Sequence, residues 1–435
     1  MSLKNLIKKI TPTFLLASYH YFLVAIGAFL YGFPSRQRRD SPSGAAQKLT
    51  VIGITGTSGK STVVELTARI LTEANYKVAS LSSIKFKIRD REWENKLKMT
   101  MPGRMKLQRF LRRAVKAGCK YAVLEVTSEG IKQYRHKFID FDIAVLTNLS
   151  PEHIEAHGGF EKYREAKSKL FQTTKKIHII NLDDENAEFF WRIPAEKKIG
   201  YKMDDIKILP SNFSLLGRFN LYNALAAAKV GIALGVPLEV CKRALGKVKG
   251  IPGRMEIVIK EPFTVIVDYA HTPEALENVY KIASNLKPKS YNLKPNLICV
   301  LGACGGGRDK WKRPVLGKLA VEYCQEIIVT NEDPYDENPL KIMEDIESGF
   351  SQIPNSLDAR RRTPRRAAFQ IPKYMKILDR REAIRKALEL ARKNDVVIIT
   401  GKGSEPWMCV KGGRRILWDD RQTVKEEFQK IYEKI

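Results

Sequence analysis

Residues 51–62 read VIGITGTSGKST, and this stretch decides what kind of chain it belongs to. An apolar, β-rich run, Leu49–Ile54, leads into a loop of small residues with glycines at 56 and 59. Lys60, Ser61 and Thr62 follow and open a helical pattern, VVELTARILTEA. Strand, glycine loop and helix in that order make a phosphate-binding loop. Glycines let backbone N–H groups approach phosphate oxygens, a lysine reaches the terminal phosphates, and a hydroxyl can ligate Mg2+. The candidate nucleotide-binding residues are therefore Gly56, Thr57, Ser58, Gly59, Lys60, Ser61 and Thr62. The strict GxxxxGK[ST] pattern would put its first glycine at Ile54, so the loop here is the tighter GTSGKS. A glycine-rich strand-to-helix turn can also be merely structural, and the rest of the chain has to decide.

The chain has 435 residues, 44% hydrophobic and 29% charged. This is the composition of a core-forming globular protein of roughly two or three domains. Its formal net charge of +28 suits anionic partners: nucleotides, acidic substrates, nucleic acid or an anionic membrane surface. Arg360–Arg366, RRRTPRR, has no interleaved aromatics to serve as stacking platforms, so it reads as a solvated basic loop and no nucleic-acid partner is expected. The six cysteines are scattered, without a CxxC pair. That pattern argues against a structural zinc site or a disulfide framework and fits a reducing cytoplasm.

Residues 1–47 read as an apolar helix and a linker. Phe14–Phe33, FLLASYHYFLVAIGAFLYGF, holds no Asp, Glu, Lys or Arg and is flanked by Lys8, Lys9, Arg36, Arg38 and Arg39. About 20 such residues suffice to cross a bilayer as a helix. Tyr19, Tyr21 and Tyr31 suit the interfaces, and the basic flanks suit anionic headgroups. Ser18, His20 and the basic charge on both sides fit the rival reading, a helix packed on the enzyme or on a partner. Membrane association through residues 14–33 is thus one expectation and burial the other. No small-x-small cleavage site follows, which argues against a signal peptide. Residues 35–47, rich in Pro, Ser, Gly and Arg, read as a linker.

From 48 to 249 strand-like runs alternate with helical ones. The strands are Thr50–Thr55, Lys77–Ser82, Tyr121–Val126, Ile143–Thr147 and Ile177–Leu182. The helices are Ser61–Ala74, Lys106–Ala117, Phe160–Phe171 and Asn220–Leu234. A second such segment fills 250–435, with strands Phe263–Asp268, Leu297–Leu301, Glu326–Thr330 and Val396–Thr400 and helices Pro273–Asn285, Lys312–Tyr323, Asn338–Phe350 and Arg380–Lys393. The expected fold is α/β: a phosphate-loop central domain with a mostly parallel sheet, then a Rossmann-like C-terminal domain, preceded by the apolar helix. Ligands of such sheets gather beyond the carboxyl ends of the strands. Gly56–Ser61, Glu125–Ser128 and Asn148–His157 each follow an apolar run and so lie there.

Glu125 ends the apolar run in YAVLEVTSEG, where a carboxylate facing a phosphate loop is a natural Mg2+ ligand; an N-cap or structural acid is the alternative. His153 and His157, two of six histidines, share LTNLSPEHIEAHGGF and suggest a metal or phosphate site, although a lone loop histidine is more often a hydrogen-bonded scaffold residue. Lys167, in KYREAKSKLF, would on composition alone be an exposed helix lysine.

These segments, with GRFNLYNALAA, PGRMEIV, VDYAHTPEALE, GACGGGRDKWKRP and GKGSE in order behind them, resemble the Mur ligases over residues 48–435. Within that family the likeness is to the branch that adds the third residue of the peptidoglycan stem peptide. The resemblance implies an ATP-dependent amide ligase that phosphorylates the D-glutamate carboxylate of a UDP-muramoyl dipeptide. An incoming amino acid then attacks the acyl phosphate, and catalysis is positioning plus charge neutralisation. It implies that Lys60 holds the β- and γ-phosphates, Ser61 a first Mg2+, and Glu125 and His153 a second, with Lys167 carbamylated beside the metal. Asn223 would contact adenine, and Arg254, Asp268 and His271 would close over ribose and phosphates. Thr100, Thr127, Gln133 and Arg135 would hold the acyl part of the muramoyl substrate. Arg308, Asp333, Gly401 and Glu405 would grip the free amino acid.

Several positions depart from the family. The diaminopimelate-selecting Asp-Asn-Pro-Arg is Glu332-Asp333-Pro334-Tyr335, so the arginine for a distal carboxylate is absent. Glu332, Asp333, Asp336 and Glu337 favour a cationic distal group, which makes lysine or another diamino acid the expected residue. Ser404 and Glu129 replace family histidines, and Met101 replaces a threonine. Family members carry an N-terminal uridine-nucleotide domain where this chain has residues 1–47, so either a partner binds the UDP moiety, or it is left uncontacted, or the acceptor is lipid-linked. The competing readings are a folylpolyglutamate synthase, whose ATP machinery is related, and a non-catalytic precursor-binding subunit of a membrane complex. HGGFEKYREAK and GGGRDKWKRP favour the muramoyl side. The expected location is cytoplasmic, with attachment to the inner face of the membrane through the apolar helix.

Overall fold

A computed structural model describes residues 13–36, 38–39, 47–97, 99–286, 295–351 and 372–432. Lys8 and Lys9, most of the 35–47 linker and the basic run Arg360–Arg366 lie outside the described residues. The chain divides into two compact units, residues 2–251 and 252–435.

The first unit is built on an eight-stranded sheet. Its strands are β1 (Thr50–Thr55), β2 (Val78–Leu81), β3 (Lys85–Ile88), β4 (Arg91–Glu94), β5 (Tyr121–Glu125), β6 (Ile143–Leu146), β7 (Ile177–Asn181) and β8 (Lys197–Tyr201). They lie in the order β8-β7-β6-β1-β5-β2-β3-β4, parallel except where β3 and β4 turn back antiparallel at one edge. The residues of β2, β5 and β6 are buried throughout, because a central parallel strand is covered on both faces and so reads as an unbroken apolar run. The edge strand β4 and its neighbour β3, with their Glu and Lys, are only partly covered, which blunts the edge against further pairing.

Helices α1 (Thr13–Leu30), α2 (Lys60–Glu73), α3 (Arg104–Lys116), α4 (Ser128–Lys132), α5 (Ile154–His157), α6 (Phe160–Thr173), α7 (Arg218–Ala233) and α8 (Leu238–Gly246) belong to this unit. One face of the sheet packs Ile52, Ile54 and Val123 against α2, α7 and α8. The other packs Val51, Ala122 and Leu124 with α3 and α6.

The apolar helix α1 packs on α3, with Val24 and Ala28 fully buried. Tyr21 meets the rings of Tyr134 and Phe138 at 5.8 and 5.4 Å, and Arg36 just beyond the helix pairs with Asp140 at 3.2 Å. Among the described residues no helix is long and apolar enough to cross a membrane. Reading residues 14–33 as a crossing span therefore gives way to the packed helix, which ends at Leu30 and spends its inner face on α3.

The segment holding α1 carries a pH-sensitive element. His136 is buried, and both its ring nitrogens are without a hydrogen-bond partner. Burial, reinforced by Lys137 and Lys169, pushes its pKa from 6.5 down to about 4. The unfolded chain therefore takes up this proton first as pH falls. The stability tied to the neutral ring is full above pH 6.5 and is lost progressively toward pH 4, in all about 3 kcal/mol. His136→Leu is expected to flatten the melting temperature across that window; an unchanged slope would show that His136 titrates alike in the folded and unfolded states.

The second unit carries β9 (Glu256–Ile259), β10 (Thr264–Val267), β11 (Leu297–Leu301), β12 (Glu326–Thr330), β13 (Lys373–Ile377) and β14 (Val396–Ile399) in the order β9-β10-β14-β11-β12-β13. All neighbours are parallel except β9 with β10. Around the sheet lie α9 (Pro273–Ala283), α10 (Lys312–Tyr323), α11 (Pro339–Glu347), α12 (Arg380–Leu390) and, beyond the β15–β16 hairpin (Trp407–Val410 and Arg414–Leu417), α13 (Asp420–Tyr432). Thr272, Asn338 and Asp379 accept hydrogen bonds from the first free N–H groups of α9, α11 and α12. Cys299 on β11 and Cys324 after α10 are joined in a disulfide, with Cα atoms 6.1 Å apart. The scattered cysteines gave no sign of this pair, because strand β11 and the end of α10 meet only in the fold.

Candidate active site

The phosphate loop connects β1 to α2 at the carboxyl edge of the sheet. Gly56 and Gly59 take φ of 149° and 80°, a region that favours glycine. A Cβ at Gly56 would run into Thr147 Oγ1, and one at Gly59 into the carboxamide of Asn223. The loop is held from behind by TNLSP: the Thr57 amide donates to Asn148 O and the Ser58 amide to Asn148 Oδ1, both at 2.9 Å, and Thr147 Oγ1 donates to Ser58 O at 2.7 Å. Lys60 folds back so that Nζ donates to Thr57 O at 2.6 Å. The free N–H groups at the start of α2 thus face the mouth of the loop, where an anion is favoured.

Ser61 Oγ donates to Glu125 Oε2 at 2.7 Å, and that same oxygen accepts the Ser83 amide at 2.9 Å. Both side chains are buried. Two hard oxygen donors beside a phosphate loop fit Mg2+, which prefers oxygen ligands and shares them with phosphate.

Lys167 departs from its compositional reading as an exposed helix lysine: it is 2% exposed. Its Nζ donates to Gly56 O at 2.7 Å and lies 4.5 Å from the centre of the Tyr163 ring. Burial first, and then the charge of Lys60, push its pKa well below the ordinary lysine range against the pull of Glu152 and Glu125. Tyr163 also bonds Thr57 Oγ1 at 3.0 Å and meets the rings of His153 and His157 at 6.3 and 5.4 Å. His153 stands at positive φ, 57°, with Nε2 3.8 Å from Glu152 Oε1.

Loop, Ser61, Glu125, Lys167 and Asn223 are therefore gathered together, and His153 is linked to them through Tyr163. Glu152, Asn148 and Tyr163 were not singled out in the sequence. Glu152 sits beside the quoted His153 and is as buried as the loop threonine Thr57, which only the fold reveals.

A second group forms in the segment that follows β5. Thr127 caps α4, its Oγ1 accepting from the Gly130 amide at 3.0 Å. Gln133 Oε1 accepts from Arg135 Nη2 at 2.6 Å, and Arg135 Nη1 donates to Met101 O, which sets Thr100 and Met101 beside Gln133 and Arg135.

In the second unit Asp268 accepts the amides of Met255 and Ala270, each at 2.6 Å. Burial raises its pKa, while Arg254 and these amides pull against it. The Arg254 guanidinium stacks over Tyr269 at 4.3 Å, and His271 Nδ1 lies 2.8 Å from Tyr269 O. Tyr269 OH donates to Glu405 Oε1 at 3.1 Å. Lys402, fully buried, bonds both oxygens of Asp333 at 3.0 and 2.9 Å and Glu405 Oε2 at 2.7 Å. Burial disfavours its charge, but Glu405 and Asp333 outweigh that and hold it well above the ordinary lysine range.

Cys304, Glu332 and Asp333 cluster closely enough to share a cation, and the Lys402 ammonium already sits on Asp333. The Cys304 thiol donates to Glu332 Oε1, and Glu332 Oε2 has no hydrogen-bond partner. Gly401, at φ 104°, has Glu332 Oε2 where its Cβ would be. Arg308 is exposed in the loop after β11.

The sequence pattern of the Mur ligase middle domain matches residues 54–205, and that of the Mur ligase glutamate ligase domain matches residues 253–403. A UDP-N-acetylmuramoyl-L-alanyl-D-glutamate–2,6-diaminopimelate ligase of Syntrophomonas wolfei is 34% identical over 93% of this chain and 81% of its own length. A UDP-N-acetylmuramyl-tripeptide synthetase of Roseiflexus sp. is 32% identical over 94% and 82%. The solved structure of a UDP-N-acetylmuramoyl-L-alanyl-D-glutamate–2,6-diaminopimelate ligase has 30% identity and a TM-score of 0.55 over 88% of this chain and 79% of that one.

A phosphate loop on a parallel sheet, followed by a second α/β unit matching a ligase domain, defines an ATP-dependent ligase. The chain belongs to the Mur ligase family, and its chemistry serves peptidoglycan synthesis.

Proposed function

We propose that this ligase joins a diamino acid to the D-glutamate carboxylate of a UDP-N-acetylmuramoyl dipeptide through an acyl phosphate. The observation that carries the reading is the set around the loop: half-buried Lys60, buried Ser61 bonded to Glu125, and a desolvated Lys167 on Gly56 O. A carboxylate is a poor acyl donor because oxide is a bad leaving group. Transfer of the γ-phosphoryl group of ATP to a carboxylate oxygen breaks the bond to the β-phosphate, releases ADP and gives a mixed anhydride. The amine then attacks the carbonyl carbon, and phosphate leaves carrying the former carboxylate oxygen.

Lys60 and the loop amides neutralise the charge of the phosphates and hold them in line. Mg2+, when bound by Ser61, Glu125, His153 and a carbamylated Lys167, supplies Lewis-acid stabilisation of the transferring phosphoryl group. The Lys167 amine suits carbamylation, since only a neutral amine adds CO2 and burial favours that form. Thr100, Thr127, Gln133 and Arg135 orient the acyl acceptor, and Asn223 lies beside the loop toward the base. In the second unit Arg254, Asp268 and His271 serve the nucleotide, and Arg308, Asp333, Gly401 and Glu405 the free amino acid. We assign residues 1–47 to the apolar helix and linker, 48–249 to ATP binding and 250–435 to the C-terminal ligase domain, with the enzyme working in the cytoplasm at the inner face of the membrane.

The names of the relatives point to diaminopimelate, whereas Tyr335 in place of the family arginine favours a residue without a distal carboxylate. Of the acidic residues in that loop, Asp333 is neutralised by Lys402 and Glu337 by Arg313. The charge argument for a distal ammonium therefore rests on Glu332, buried with one free oxygen, and on the exposed Asp336, which accepts the Gly412 amide. The test is phosphate release with the muramoyl dipeptide across lysine, diaminopimelate, ornithine and glutamate. Release that requires both dipeptide and a diamino acid is expected. Acceptor-independent hydrolysis, or glutamate working on a folate alone, would overturn the reading.

A further inference from the structure

Helix α1 is apolar on every side, a pattern that in a soluble protein marks a helix covered all round. Among the described residues only one side is covered. Val24, Gly27 and Ala28 face α3, while Leu15, Tyr19, Phe22, Phe29 and Leu30 recur at helical spacing on the opposite side. Of these, Phe22 is 64%, Phe29 75% and Leu30 60% exposed. Single exposed apolar residues need no explanation, but a continuous stripe of aromatic and leucine side chains marks a contact surface.

Charge indicates the occupant. Helix α3, on which α1 lies, holds Lys106, Arg109, Arg112, Arg113 and Lys116 and no acidic residue, and Lys106, Arg109, Arg113 and Lys116 are exposed. Asp140, the acid at the far end of α1, is taken up by Arg36 and Lys48. With the whole chain at +28, an apolar stripe beside a basic helix is complementary to lipid with anionic headgroups.

We propose that the outer face of α1 is an in-plane lipid-binding surface that seats the enzyme on anionic membrane, with α3 supplying headgroup contacts; the proposal deepens the membrane attachment put forward above. The helix does not cross. Its 18 residues extend about 27 Å against a hydrocarbon core of about 30 Å, and its inner face is already packed on α3. Protein takes the place that the polar face has in a free amphipathic helix. The chain that holds α1 down, through Tyr134 and Phe138, also carries Gln133 and Arg135, so docking brings the acceptor segment to the bilayer surface.

The test is sedimentation of the full chain with vesicles of phosphatidylcholine alone and of phosphatidylcholine mixed with phosphatidylglycerol. Binding to the mixed vesicles should exceed binding to the neutral ones by at least about tenfold and fall with added salt. Phe22→Glu with Phe29→Glu, both on exposed positions, should weaken binding by a similar factor, and Lys106→Glu with Arg109→Glu should remove the preference for anionic lipid. The melting temperature, and ligation of soluble dipeptide in vesicle-free buffer, are measured on each variant. Both should be unchanged, so loss of vesicle binding is separated from misfolding. Ligation that fails in every form, wild type included, counts against the proposed reaction and leaves vesicle binding to be judged by itself. No binding of the wild type to either vesicle, equal binding to both, or unaltered binding of the Phe22/Phe29 variant overturns the proposal. So does a stable dimer in solution that these two substitutions dissociate, since the face would then belong to a second copy.

Discussion

Lys60→Ala is expected to lower the rate of ligation by about a thousandfold or more while leaving the fold intact. Lys60 is the one long cation projecting from the phosphate loop, and its Nζ donates to the Thr57 carbonyl at 2.6 Å. Losing that hydrogen bond costs the native state little, since the carbonyl can turn to water. The loss falls on the transition state, where charge spreads over the transferring phosphoryl oxygens and a fixed ammonium acts without reorganisation. Arginine should not restore the rate, because its planar fork and greater length do not fit a point-charge position between the glycines. Single-turnover rates and melting curves on Lys60→Ala and Lys60→Arg check this. Near-normal turnover in the alanine variant would remove the loop lysine from the chemistry.

The second large effect belongs to Lys167. Lys167→Ala is expected to abolish ligation, by about a thousandfold or more. Added formate or acetate should return part of the lost rate, because the cavity left by the side chain opens between Gly56 O and Tyr163 and a small carboxylate can take the place of the carbamate. Lys167→Met keeps the apolar stem and separates packing from charge. It should fold as well as wild type, stay inactive and resist rescue, since no cavity is available. Full activity in Lys167→Ala, or activity regained without any carboxylate, would exclude a carbamate from the mechanism.

The parts of this fold that could be read in the sequence were those with one dominant signal. β1, β5, β6, β11 and β12 are buried apolar runs, and Lys312–Tyr323 and Leu297–Leu301 have the ends expected of them. The β3–β4 hairpin was missed because KFKIRDREWE spends every second position on charge. Its signal, Phe86, Ile88 and Trp93 on the core side, is short and diluted by solvent-facing Lys, Arg and Glu. The hairpin Trp407–Leu417 was missed because its strands, WMCV and RRIL, are four residues each without alternation, and α13 because its apolar residues are few.

At the site, the sequence yielded residues that carry chemistry themselves, such as Lys60 and Glu125. It did not yield those that act by position. Asn148 shapes the loop from another strand end, Tyr163 bridges Thr57 to Lys167, and Glu152 gains its weight from burial. The burial of Lys167 was likewise invisible: helix α6 turns that position inward, and a helical pattern rich in lysine does not say which lysine faces the sheet.

The central claim is that the phosphate loop delivers a phosphoryl group to a carboxylate rather than to water. It is tested most directly by labelling the acceptor carboxylate of the muramoyl dipeptide with heavy oxygen and following the label through one turnover with ATP and the diamino acid. Through an acyl phosphate, one labelled oxygen must leave with the released phosphate, and the other must remain in the new amide. Phosphate that carries no label, alongside product formed at the normal rate, would contradict the account.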